Sequence, residues 1–262
     1  MDDIVLLQSD QRAAAALWGA LDPQHSVTSV GNLADLEALL GGGTVRGCIL
    51  DLFDSSPSVS LSSLSSLRRE HPTVALVIAS DFRGREMQLY DLGRLQADGV
   101  IRMEEDPSPR DILHVVDRAL ATSLATRVVL SCAEDLPPLP RQAIRWAIEH
   151  AEERPQVSEF AAALGTRPRS FHREMKTLGF LSPRALLLWG RLIRASDLLG
   201  LPSETVESVA FRLGYATGGG LGKAMKRQLG FSPIQLVRQG GLTRTLEVFR
   251  RCGLRERGRD EG

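Results

Sequence analysis

Two apolar patterns divide the chain. In residues 1–122, short unbroken apolar runs have the length of buried strands: DIVLLQS at 3–9, GCILDLF at 47–53, TVALVIAS at 73–80 and DGVIRM at 98–103, with HSVTSV at 25–30 a weaker fifth. Between them, QRAAAALWGAL, NLADLEALL, SLSSLSSLRRE and GREMQLYDLGRLQ mix apolar and polar residues at helical spacing, and SPRDILHVVDRALA follows the last strand. Five strand–helix units predict an α/β doubly wound five-stranded parallel sheet, with a ligand or signal site at the carboxyl ends of the strands. Past residue 139 the segments are helical throughout. The expected organisation is an α/β unit at 1–122, a linker at 123–139 that includes the prolines of AEDLPPLP, an all-α unit at 140–240 and an Arg-rich tail at 241–262.

The helical part contains an internal repeat. VSEFAAALG (157–165) returns 49 residues later as VESVAFRLG (206–214), and MKTLGFLSP (175–183) returns 50 residues later as MKRQLGFSP (225–233). Each unit predicts a short helix, a glycine turn, a second helix, and then a Ser-Pro pair that caps and opens the next helix. Ala161 and Ala210 are small where two helices must cross, and Gly165 and Gly214 suit the left-handed conformation that ends the first helix. Two tandem helix-turn-helix units follow, joined by a long helix in SPRALLLWGRLIRASDLL, whose Leu186, Leu187, Ile193, Leu198 and Leu199 are expected to hold both units on one core.

Charge sharpens this division. The chain is 43% hydrophobic and formally neutral, yet residues 1–122 carry 10 Lys+Arg against 18 Asp+Glu, and residues 123–262 carry 22 against 14. An acidic half joined to a basic half implies that the second half meets a polyanion, double-stranded DNA in a helix-turn-helix setting. In the second helix of the first unit, Phe171, Met175 and Leu178 form an expected buried stripe, while Arg169, His172, Arg173 and Lys176 share another face, with Arg167 just ahead of them. In the second unit, Leu221, Met225 and Leu229 form the stripe and Lys223, Lys226 and Arg227 the cationic face. Gly218, Gly219, Gly220 and Gly222 crowd the start of that helix, so it is expected to fray or begin late, and to order on DNA. Glycine offers no group to a base edge. The first helix is therefore expected to read sequence and the second to grip phosphates.

The residues Gly165, Phe171, Met175-Lys176, Gly179, Ser182-Pro183, Arg191-Leu192, Ala195, Leu198-Leu199, Ala210, Gly214-Tyr215, Lys226, Gly230 and Ser232-Pro233 resemble the DNA-binding domain of the AraC/XylS family of transcription regulators. The resemblance covers about 100 residues. It implies a monomeric module that lays two helices into successive major-groove segments about one helical turn (~34 Å) apart. The α/β half resembles a response-regulator receiver domain. That resemblance implies a phosphoacceptor at Asp51 and a switch hydroxyl at Ser80. The match is incomplete: Gln8-Ser9-Asp10 stands where two adjacent acids hold Mg²⁺, Met103 beside Arg102 where a lysine belongs, and Val100 at the aromatic switch position. A degenerate, phosphorylation-independent receiver is expected, serving as a homodimer surface through GREMQLYDLGRLQADGVIRM or as input from a protein partner or RNA polymerase.

Other chemistry finds no anchor in the sequence. GxSxG, Walker and HExxH motifs are missing, the five histidines are scattered, and Cys48, Cys132 and Cys252 stand too far apart for a disulfide framework or zinc site. Neither enzymatic activity nor a cofactor is expected. With no apolar run of roughly 20 residues and no leader-like start, a cytoplasmic protein away from the membrane is expected. Two alternatives stay open: an interaction adaptor that has lost DNA binding, and a phosphorylation-switched regulator using Asp51.

Overall fold

The computed structural model describes residues 4–22, 24–42, 45–52, 59–85, 87, 92–93, 97–133, 135–201 and 204–253. The chain forms two compact units, Met1–Ser123 and Leu124–Gly262. Among the described residues no helix is long and apolar enough to cross a membrane.

In the first unit the elements run β1 (Ile4–Leu7), α1 (Gln11–Leu21), β2 (Val27–Ser29), α2 (Leu33–Gly41), β3 (Gly47–Leu50), α3 (Leu61–Glu70), β4 (Ala75–Ser80), β5 (Gly99–Arg102) and α4 (Pro109–Val128). All strands pair in parallel, in the order β2-β1-β3-β4-β5. This is the doubly wound arrangement expected from the sequence. The apolar runs are continuous because both sheet faces are covered. Ile4, Leu6, Ile49, Val77 and Ile101 face α1 and α4, where Leu17, Leu21, Ile112 and Val116 meet them. Val5, Leu7, Cys48, Leu50, Leu76 and Ile78 face the opposite side, covered by Leu36 and Leu40 of α2 and Leu64 and Leu67 of α3. Burial pushes the Cys48 thiol up to about 12. Side-chain caps open the helices: Asp10 for α1, Asn32 for α2 and Ser60 for α3. The helix expected in GREMQLYDLGRLQ falls largely outside the described residues, as does the surface expected there for dimerisation.

The second unit is helical: α5 (Pro138–Glu149), α6 (Val157–Ala163), α7 (Pro168–Thr177), α8 (Pro183–Leu198), α9 (Val206–Arg212), α10 (Gly218–Leu229), α11 (Pro233–Arg238) and α12 (Gly241–Val248). Residues 124–128 continue α4 and a π turn spans Val129–Ala133. Leu124, Ala125, Val128, Val129 and Ala133 are buried in this unit's core, so part of the stretch 123–139 is packed structure rather than connector. The i, i+4 spacing of Leu124 and Val128 gives it an apolar face. The tail residues 254–262 lie outside the described residues.

The long helix α8 is the centre of this unit. Leu186, Trp189, Leu192, Ile193, Ala195 and Leu198 are all buried. Its crossing with α5 is close: a Cβ built on Gly190 would lie 2.2 Å from the Ala147 carbonyl oxygen. A buried charge network accompanies the apolar core. Arg194 donates to Asp197 at 3.0 Å and to Glu152 at 2.8 Å, and Arg212 reaches Glu152 and, at 2.7 Å, Glu204.

Candidate nucleic-acid interface

The two repeated units are built by the same local bonds. Each glycine turn has a left-handed residue, Gly165 at φ 69° and Gly214 at φ 79°. The next amide returns to the first helix in both: Thr166 N–H donates to the Ala161 carbonyl and Tyr215 N–H to the Ala210 carbonyl, each at 2.9 Å. Ala161 and Ala210 are fully buried at the helix crossings. The pairs α6–α7 and α9–α10 are thus two helix-turn-helix units around the shared core.

The second helix of each unit buries its apolar stripe. Phe171 and Met175 of α7, and Leu221, Met225 and Leu229 of α10, are at most 4% exposed. Leu178 differs from its expected place in the stripe. It caps the C-terminus of α7 and is 41% exposed, because Gly179 turns the chain in the left-handed conformation and Phe180 fills the core instead.

The start of α10 also differs from expectation. The helix begins at Gly218 without delay. Thr217 Oγ1 accepts from Gly220 N–H at 3.2 Å, and the Glu207 carboxylate of α9 accepts from Gly218 N–H at 2.5 Å. Satisfying two of the free amides at the helix start offsets the glycine cost of the first turn. Gly218 is also needed for space, since a Cβ there would lie 2.8 Å from the Glu207 carboxylate.

Arg167, Arg169, His172, Arg173 and Lys176 at α7, and Lys223, Lys226 and Arg227 on α10, are all exposed. None has an ion-pair partner among the described residues. The interior arginines of the same unit behave oppositely, Arg194 and Arg212 being held by carboxylates. Sequence reasoning gave no binding role to Arg154, Arg184 and Arg191, which share a cleft in this unit.

In the first unit, Asp51 follows β3 and is buried, and Ser80 at the end of β4 donates its hydroxyl to Asp51 Oδ1 at 2.7 Å. Leu52 N–H donates to Ser80 Oγ at 2.9 Å. They line a cleft of about 310 Å³ with Asp10, Asp81, Glu104 and Asp106. Each of these acids is engaged by another group, which competes with a divalent cation for it. Asp10 Oδ1 caps α1, accepting from Arg12 N–H at 2.7 Å and Ala13 N–H at 3.0 Å. The Arg83 guanidinium bonds Asp81 and lowers its carboxyl to about 2. Burial opposes ionisation of Glu104, but hydrogen bonds from the Phe82 and Glu104 amides and from Arg102 outweigh it and hold this carboxyl below its ordinary range. Asp106 meets Arg12 at 3.5 Å.

Fold and local geometry define the class: a doubly wound parallel α/β unit and, C-terminal to it, a domain of two helix-turn-helix units. Comparison with known proteins agrees, residues 160–239 matching the family model of the helix-turn-helix domain. Over 146 residues the chain is 26% identical to the HTH-type transcriptional activator RhaS of Escherichia fergusonii, a match covering 54% of this chain and 52% of that protein. The chain therefore spans about half of that activator's length. Among solved structures it is similar to the C-terminal domain of AraT, a response regulator from Geobacillus stearothermophilus, at 28% identity over 40% of this chain and 88% of that one, with a TM-score of 0.34. It is also similar to a response regulator protein from Burkholderia pseudomallei, at 18% identity over 66% and 98%, with a TM-score of 0.38.

Proposed function

We propose that this chain is a sequence-specific, DNA-binding transcription regulator of the cytoplasm that grips double-stranded DNA through both helix-turn-helix units. The observation that carries this reading is the contrast among the cations of one domain. Those buried inside it are paired with carboxylates, whereas the seven lysines and arginines at α7 and α10 stand exposed opposite two apolar stripes. A duplex supplies the missing counter-charge. In this reading Arg167, Arg169, His172 and Arg173 contact base edges, while Lys176, Lys223, Lys226 and Arg227 contact phosphates, since the glycine-rich start of α10 presents no base-reading side chain.

The receiver-like unit supplies input by pairing with a second copy or a protein partner, without phosphorylation. Phosphoryl transfer needs a cation bridging the transferring oxygens, and the acids around Asp51 are committed elsewhere.

Titration of a fluorescent duplex carrying the specific site, alongside a random duplex, tests the division of labour. Arg169→Ala is expected to weaken specific binding by roughly 1–3 kcal/mol with little effect on random DNA. Lys226→Ala is expected to weaken both alike and to lower the salt slope by about 1. Equal loss on both duplexes for both variants would overturn the assignment.

A further inference from the structure

The cations of α7 and α10 do not exhaust the arginines without acidic partners in the C-terminal unit. Arg154, Arg184 and Arg191 line one cleft of about 620 Å³, and among the described residues no aspartate or glutamate lines it. Elsewhere in this unit Arg127, Arg145, Arg194, Arg212 and Arg244 each have a carboxylate between 2.5 and 3.5 Å away. Among the described residues none of the three has an ion-pair partner, so the cleft gathers three guanidiniums in one place.

Two of the three guanidiniums are placed by groups that fix position without cancelling charge. Arg154 takes a left-handed φ of 57°, and its Nη2 donates to the Phe211 carbonyl oxygen at 2.9 Å. Its side chain crosses Gly214, where a Cβ would come within 2.5 Å of Nε, so this glycine provides space as well as a left-handed turn. Arg191 lies over the Tyr215 ring at 5.6 Å. Arg184 is exposed, and its guanidinium makes no hydrogen bond or ion pair among the described residues. Planar guanidinium forks on a concave surface match the oxygens of a phosphate.

The cleft is bounded by parts of both helix pairs, Gln156 and Ser158 at the start of α6 and Gly214 in the second turn, with α8 between them. Gly214 in the cleft wall opens the turn that leads through Tyr215 to Thr217, the cap of α10, so the cleft lies beside the start of that helix's unit. When two helices of one domain enter groove segments about one turn (~34 Å) apart, the phosphates between those segments pass the elements joining the two pairs.

We propose that this cleft binds a phosphate of the DNA backbone between the two segments contacted by α7 and α10. The proposal rests on the DNA-binding reading above. Its test uses the full chain, specific and random duplexes, and several salt concentrations. Arg184→Ala and Arg191→Ala are each expected to weaken both duplexes by about threefold to tenfold and to reduce the slope of log affinity against log salt by about 1. Wild-type affinity and slope in both variants, with Lys226→Ala still weakened, would overturn the cleft assignment while leaving the DNA-binding reading intact. Absence of salt-dependent binding by the wild type would remove both. A parallel titration with inorganic phosphate at constant ionic strength distinguishes the source: thermal stabilisation lost in Arg184→Ala, with DNA affinity unchanged, would overturn the backbone contact in favour of a free anion.

Discussion

Gly190 shows how much a single position constrains the C-terminal unit. It lies in the interior of α8, where glycine costs about 0.8–1 kcal/mol relative to alanine. Yet a Cβ there would collide with the Ala147 backbone of α5 at 2.2 Å. The collision is with backbone, so no side-chain rotation relieves it. Gly190→Ala is therefore expected to destabilise the unit by about 1–3 kcal/mol in chemical denaturation despite its better helix propensity. Unchanged or higher stability would mean that the α5–α8 crossing is looser than described. The sequence offered no hint of this contact, since helix periodicity places residues on faces but cannot say which backbones touch. The same blindness hid the Arg194, Glu152 and Arg212 network, whose members are 42 and 60 residues apart. An arginine at 194 inside the apolar pattern of LIRASDLL was the available signal, with Asp197 three positions on.

At the scale of elements, local pattern was a good guide where one element decides its own fate. QRAAAALWGAL coincides with α1, Gln11–Leu21, because an apolar stripe and an Asp10 cap agree. The four long apolar runs and the weaker fifth became the five strands, since burial on both faces erases alternation. The reading failed where a neighbouring element intervenes. Glycine propensity argued for a frayed start to α10, but Glu207 from α9 and the Thr217 cap hold that start together. This separates the glycines by role. Gly218 is enclosed by Glu207, whereas Gly219 is exposed, with only Thr217 Oγ1 near a built Cβ, at 3.7 Å. Gly219→Ala is expected to raise stability by about 0.5–1 kcal/mol in thermal or chemical melts. A loss would indicate that the first turn has a backbone need for glycine that its surroundings do not reveal. The exposed cations of α7 and α10 were legible from their i, i+3, i+4 spacing. The Arg154 cleft was not, because its geometry depends on a bond to Phe211 57 residues away.

At the scale of the molecule, the chain joins an acidic α/β unit to a basic helical one. The acidic unit retains the buried Asp51 and Ser80 pair at the strand ends, but the acids around it are engaged by Arg83, Arg102, Arg12 and backbone amides. Incubation with a small phosphodonor and Mg²⁺ is accordingly expected to leave the intact mass unchanged, and a gain of one phosphoryl group lost in Asp51→Asn would contradict the phosphorylation-independent reading. The central claim belongs to the basic unit: two helix-turn-helix elements present unneutralised charge to one duplex. Equilibrium binding of the full chain to DNA across a salt series measures it most directly. The account predicts that log affinity falls linearly with log salt, and that removing Lys223, Lys226 and Arg227 together flattens that line by about 3. Binding that ignores salt, or a slope that the triple variant leaves unchanged, would contradict it.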